Sequence, residues 1–309
     1  MRNPDELLKE AGVREDLIES ASQFRKEHPV SENFQNRIPD PQYVYYGEKI
    51  WNEALSALLA GENILLSGPK ATGKNVLADN LAVVLGRPVW NVSFHVNADA
   101  SYLMGTDTYD GEKVVFRKGP VTMSAENGGI CVLDEINMAK NEALAVLHSA
   151  LDYRHIIDIS GYDVIHIDSA TRFIGTMNYG YAGTRELNEA LTSRFAVISM
   201  PVIQKEDLHK LIVHAFPDIR DEIAVQFMNL FYELEEKAAH ADISERAVDL
   251  RGMLDAIRLM KYGVKSGEAL DMCLVNKTFD EYERNLIHDV IRARIPEEMN
   301  AEVVFQKKE

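Results

Sequence analysis

Residues 63–85 place an apolar run, a glycine-bounded turn and a helix in direct succession: NILLS, then GPKATGKN, then VLADNLAVVL. A strand that passes straight into a helix needs a sheet to lie in and an apolar face for the helix to cover. The chain must therefore build layered α/β structure around this unit. The later sequence continues the pattern, because the apolar strands PVWNVSF, GICVLD, RFIGTM and AVISM alternate with helical segments. That alternation predicts a parallel sheet covered on both faces.

Two stretches break the alternation. TDTYDGEKVVFRKG carries an Asp110-Gly111 turn between polar and β-branched runs, and RHIIDISGYDVIHI pivots on Gly161; both read as inserted β-hairpins. After Pro201 strand signals cease, and DLHKLIVHAF, DEIAVQFMNLFYELEEKA, ERAVDLRGMLDAIRLM and FDEYERNLIHDVIR show helical periodicity. Ahead of the core, residues 3–27 read as helical, with Asn3 as N-cap, Pro4 at the first position and a break near Gly12. SENFQNRIPDPQ then reads as a linker, and Glu48–Ala60 as a helix ended by Gly61. At 309 residues the chain exceeds what one core usually holds. The expected division is a helical extension and linker over 1–42, an αβα core over 43–203 and an all-helical lid domain over 204–309.

The turn is where chemistry is expected. Gly68, Pro69, Lys70, Ala71, Thr72, Gly73, Lys74, Asn75 and Val76 form a P-loop: the glycines let backbone N–H groups converge on phosphate oxygens, the helix N-terminus adds positive potential, and Lys74 can reach the outer phosphates. A nucleoside triphosphate is the expected ligand. Asn75 stands where a Ser or Thr hydroxyl normally ligands Mg²⁺; an amide oxygen can take a hard cation or hold one of its waters. Sixty residues after Lys74, the strand GGICVLDE ends in two carboxylates. Asp134 is the candidate to hold Mg²⁺ and Glu135 the candidate to polarise an attacking water. Asn178 ends RFIGTMN, where its amide could orient that water. In NEALTSRF, Arg194 closes a helix just before the last core strand and could project to a neighbouring subunit's phosphates, which requires an oligomer. Arg246, in ISERAVDL, is expected to open a lid helix and reach the nucleotide from there.

These blocks, in this order, resemble the AAA+ superfamily and specifically its MoxR branch, close to the CbbQ/NirQ/NorQ/GvpN group, over about residues 43–295. GPKATGKN corresponds to Walker A, ICVLDE to Walker B, GTMN with Asn178 to sensor 1, LTSRF to the finger block and SERA with Arg246 to sensor 2; TMNYGYAGTRELNEALTSRF is the most group-specific phrase. The branch also carries two hairpin inserts. The resemblance implies ATP and Mg²⁺ bound between subunits of a hexameric ring, hairpins facing a pore or partner, and remodelling or activation of a client protein. An adaptor with a von Willebrand factor A domain is a partner class the resemblance brings with it.

Two other functions stay open at this level. Asn75 could suppress turnover and leave an ATP-gated scaffold. A nucleic-acid motor would use His95, Lys113, Arg117, Lys118, Arg154 and His155, which lie in or beside the hairpins. The net charge of −16 argues against the motor, because non-specific binding to nucleic acid depends on Lys and Arg displacing counterions. Catalysis by a histidine-bound metal has little support, since His148 and His155 are seven apart and no HExxH occurs. Cys131 and Cys273 read as buried free thiols. MRNPDELLKE lacks a signal-like apolar stretch and no run is long enough to span a bilayer, so the expected location is cytoplasmic.

Overall fold

The structure, a computed structural model, describes residues 3–159, 161–179 and 186–306. It divides into two compact units, Met1–Pro201 and Val202–Glu309.

The first unit opens with α1 (Pro4–Glu10), α2 (Glu15–Glu27), a 3-10 turn at Glu32–Arg37 and α3 (Glu48–Leu59). The Asn3 side chain accepts from the Asp5 N–H and Pro4 follows it, so α1 starts where its cap dictates. Leu7, Leu8, Leu17, Ile18 and Phe24 are buried, and each stabilises the unit by about 1.5–3 kcal/mol. The stretch that reads as a linker is pinned down. Phe34 meets the Trp90 ring at 5.4 Å, and the Arg37 guanidinium lies over that ring at 4.8 Å. Its polar, proline-bearing sequence does not announce this, because the ring that holds it lies far along the chain.

The core then runs β1 (Ile64–Ser67), α4 (Lys74–Val84), β2 (Val89–Ser93), α5 (Ala100–Met104), β3 (Gly105–Tyr109), β4 (Val114–Lys118), α6 (Pro120–Glu126) and β5 (Ile130–Asp134). After these come α7 (Asn141–Leu144), α8 (Leu147–Ala150), β6 (Ile156–Ile157), β7 (Ile165–His166), β8 (Arg172–Met177), α9 (Glu189–Thr192) and β9 (Ala196–Ser199). Five strands form one parallel sheet in the order β2-β5-β8-β1-β9. Ile64, Leu65 and Leu66 are wholly buried in β1, as an interior strand covered on both faces requires. Leu133 pairs with Gly175 and Ser67 with Met177, so β5, β8 and β1 end level with one another. Ligands of open parallel sheets bind at such carboxyl ends.

The two inserts are hairpins, β3–β4 and the shorter β6–β7. Asp110 Oδ1 accepts from the Glu112 and Lys113 N–H groups, which fixes the first turn, and Gly161 takes φ +86° in the second. The hairpins touch: the Tyr162 hydroxyl donates to Asp107 Oδ1 at 2.6 Å and its ring lies 4.9 Å from Phe116.

The second unit is helical: α10 (Lys205–Ala215), α11 (Asp221–Ala239), α12 (Leu250–Lys261), α13 (Ser266–Cys273), α14 (Glu281–Arg294) and α15 (Ala301–Val304). Ile223, Phe227, Leu230, Phe231 and Leu234 line the buried face of α11 at helical spacing. α12 begins at Leu250 because the Asp249 side chain accepts from the Gly252 N–H and caps it. Residues 244–248 therefore turn before the helix instead of opening it. Cys131 is buried and Cys273 half-buried, both unbridged, and burial pushes both thiols up. Among the described residues no helix is long and apolar enough to cross a membrane.

Candidate functional site

β1 ends at Ser67, and the chain turns into α4 within six residues. Gly68 is required by close approach, since a Cβ there would sit 2.5 Å from the Met200 carbonyl oxygen. Gly73 takes φ +80°, the left-handed backbone that frees the α4 N-terminus, and Ala71 accepts φ +63° without being glycine. Lys74 folds back over this turn. Its Nζ donates to the carbonyls of Gly68 at 3.1 Å and Pro69 at 2.7 Å, and to Thr72 Oγ1 at 3.2 Å. Burial lowers its pKa to about 8, against the upward pull of Asp134 and Glu135. Asn75 is exposed in the first turn of α4, and Val76 is half-buried behind it.

Asp134 closes β5 and Glu135 follows it in the left-handed region, φ +54°. For a glutamate that backbone is strained, and Glu135 is exposed while Asp134 is half-buried. Thr176 of β8 bridges both residues: its hydroxyl donates to Asp134 Oδ1 at 2.6 Å and accepts from the Glu135 N–H at 3.1 Å. Asn178 sits half-buried just beyond β8, and its carbonyl accepts from Asn137 Nδ2 at 2.7 Å. The turn, the two carboxylates and Asn178 thus occupy the carboxyl ends of adjacent strands. An ammonium, converging N–H groups and a carboxylate are the donor set for a polyphosphate and a hard divalent cation. Among the described residues no three His, Cys, Asp or Glu side chains cluster to hold a metal alone. The donors suit a cation shared with phosphate oxygens.

Arg194 follows α9. Its Nη1 donates to the Ala190 carbonyl and its Nη2 lies 3.7 Å from Asp152 Oδ2. Arg246 belongs to the second unit, where it is exposed in the turn ahead of α12; the expected helix opening does not occur at that residue.

Residues 63–195 match the AAA domain (dynein-related subfamily). The uncharacterized protein YojN of Bacillus subtilis is 34% identical over 272 residues, spanning 86% of this chain and 88% of its own length. An uncharacterized Staphylococcus saprophyticus protein is 32% identical over 262 residues, 82% of this chain and 98% of that one. The chain belongs to this AAA domain family. Among solved structures, a Thermotoga maritima RuvB mutant aligns with a TM-score of 0.49 at 18% identity, covering 87% of this chain and 76% of that one.

In and beside the AAA domain, four polar residues carry no mark in the sequence. Thr176 is one, and the wholly buried Asn80 is another: its Oδ1 accepts from the Tyr45 N–H at 2.9 Å and its Nδ2 donates to the Tyr43 carbonyl at 3.0 Å. This pair of bonds clips the segment before α3 onto α4. Tyr45 itself lies against the turn, where a Cβ on Gly73 would meet its ring at 3.2 Å. Asn137, buried beside Asn178, is the fourth, and its Oδ1 has no partner among the described residues. Nothing local marks any of them, because each acts on a segment distant in sequence. Of the hairpin cations, Lys118 pairs with Glu126 at 2.6 Å and Arg154 with Asp152 at 2.9 Å, while His95, Lys113, Arg117 and His155 are exposed. Residues 180–185 of the group-specific phrase lie outside the described residues.

Proposed function

We propose that this AAA domain protein is a MoxR-type ATPase that binds and hydrolyses ATP between subunits of a hexameric ring and remodels or activates a partner protein. The observation that carries the reading is the Thr176 bridge, which ties the Asp134 carboxylate at the end of β5 and the Glu135 backbone N–H to the strand that leads to Asn178. Lys74 and the N–H groups at the start of α4 would hold the phosphates. Asp134 and the Asn75 amide would hold Mg²⁺, whose chemistry there is to neutralise charge on the phosphate oxygens. Glu135 would take a proton from the attacking water, and Asn178 would orient that water. Arg194 of one subunit would serve the neighbour's phosphates, and Arg246 would act on the nucleotide from the helical unit.

The hairpins over residues 105–118 and 156–166 support the MoxR branch, and they are the surface on which a client would act. An adaptor with a von Willebrand factor A domain rests on the resemblance alone. Pairing of Lys118 and Arg154 with carboxylates, together with the net charge of −16, weighs against a nucleic-acid motor.

Asn75 favours one second reading, an ATP-gated scaffold. Phosphate release from Mg-ATP by wild type, Glu135→Gln and Asn75→Thr separates the two. Turnover by wild type that Glu135→Gln abolishes is the expected outcome. A silent wild type with an active Asn75→Thr variant would overturn hydrolysis in favour of the scaffold.

A further inference from the structure

Asp152 lies where α8 gives way to the β6–β7 hairpin, and it is built into the base of that hairpin. Its carbonyl accepts from the His155 N–H at 3.1 Å. Its Oδ1 accepts from the Arg154 N–H at 3.2 Å and from Arg154 Nε at 2.9 Å. His155, at φ +50°, then offers its carbonyl to the Ile167 N–H at 2.9 Å, which closes the base against the returning strand. These bonds occupy one carboxylate oxygen. The other, Oδ2, faces Arg194 Nη2 at 3.7 Å.

This is not an ordinary surface pair, which would contribute little. The Asp152 side chain is only 13% exposed and that of Arg194 28%. Hydrogen bonds from Arg154, with a smaller pull from Arg194, hold the Asp152 carboxyl below the usual carboxylate range, so it is charged at neutral pH. The contact is also incomplete. Arg194 Nε is enclosed without a hydrogen-bond partner among the described residues, and Nη2 is beyond hydrogen-bond distance of Oδ2. A bidentate pair would satisfy the fork and retain it. A single loose carboxylate contact, beside the hydrogen bond from Nη1 to the Ala190 carbonyl, instead narrows the rotamers of the arginine and leaves donors for an anion.

We propose that Asp152 is a positioning residue for Arg194, aiming its guanidinium from the base of the β6–β7 hairpin, so that movement of the hairpin and placement of the arginine are linked. The inference rests on the reading of Arg194 as the residue that serves a neighbour's phosphates.

The test is steady-state hydrolysis of Mg-ATP by the full chain, with affinity for a fluorescent ATP analogue and oligomeric state measured in parallel. Asp152→Asn keeps the turn's acceptor oxygen and removes the charge. It should lower kcat about 5- to 20-fold, while KM, analogue affinity and assembly stay within about twofold of wild type. Asp152→Ser, which also keeps a turn acceptor, should show the same split if Asp152→Asn melts early. In an Arg194→Ala background Asp152→Asn should cost nothing further, because the two residues act as one. A wild-type or raised kcat for Asp152→Asn beside an impaired Arg194→Ala overturns the positioning role alone. Losses that multiply in the double variant overturn it as well. Wild-type turnover by Arg194→Ala overturns the reading of Arg194 itself, and the role of Asp152 falls with it.

Discussion

Thr176 Oγ1 donates to Asp134 Oδ1 at 2.6 Å, and the same oxygen accepts the N–H of the residue that follows Asp134. One wholly buried hydroxyl thus orients a candidate metal-binding carboxylate and holds the strained backbone of Glu135. Thr176→Val preserves shape and removes both bonds, leaving a part-buried N–H and a carboxylate oxygen without this partner, at a cost of about 1 kcal/mol. The expected result is a lower melting temperature and at least a tenfold loss of kcat, with Thr176→Ser near wild type. Equal activity of the Val and Ser variants would show that the bridge does not serve turnover.

Asn80 makes a second prediction, on stability and binding together. Both ends of its amide satisfy backbone groups, Tyr45 N–H and Tyr43 carbonyl, inside the protein. Asn80→Leu strands both, so a loss of about 2–4 kcal/mol in denaturant unfolding is expected. Because that clip also holds Tyr45 against the glycine turn ahead of α4, nucleotide affinity should fall with it if the turn holds the phosphates. Unchanged affinity in a measurably destabilised variant would separate the clip from the site.

These two residues also mark the limit of what the sequence makes legible. β1 could be read because an interior parallel strand is apolar throughout, and the turn after it because glycines and a lysine recur at the spacing phosphate binding needs. Asp134 and Asn178 followed from where their strands end. Thr176 and Asn80 carry no such mark, since a threonine in a strand and an asparagine in a helix look ordinary until the distant partner is placed. The start of α12 is hidden for a related reason. Ser244 and Glu245 have the composition of a helix start, but Asp249 supplies the cap. The anchoring of residues 31–42 on Trp90 was likewise invisible, because it depends on a tertiary contact.

Lys74 gives a pH dependence with a definite sign. Its folded pKa is about 8 against 10.5 in the unfolded chain. Between those values the unfolded chain binds more protons, so stability of the ligand-free protein should rise as pH climbs from about 8 towards 10.5. Phosphate binding runs the other way, since it favours the ammonium and must take up a proton once pH passes about 8. Affinity for ATP should weaken about fivefold between pH 8 and pH 9, following the protonated fraction. Isothermal titration in buffers of different ionisation enthalpy would reveal the proton uptake. A flat profile would mean that Lys74 does not contact the phosphates.

Whether Arg194 acts across a subunit boundary can be settled without a structure of the assembly. In the single chain its guanidinium is directed to Ala190 and Asp152, so the residue is held at a fixed place beyond α9. If it serves a neighbour, Glu135→Gln and Arg194→Ala disable different halves of one composite site, and each pure variant should be nearly inactive. In a mixture, an Arg194→Ala subunit keeps its own Glu135 and can receive Arg194 from an adjacent Glu135→Gln subunit. Roughly a quarter of the interfaces in a random equal mixture would then be complete, and phosphate release should return to about that fraction of wild type. Were Arg194 to act only within its own subunit, every subunit in the mixture would lack one essential group, and activity would stay at the level of the pure variants.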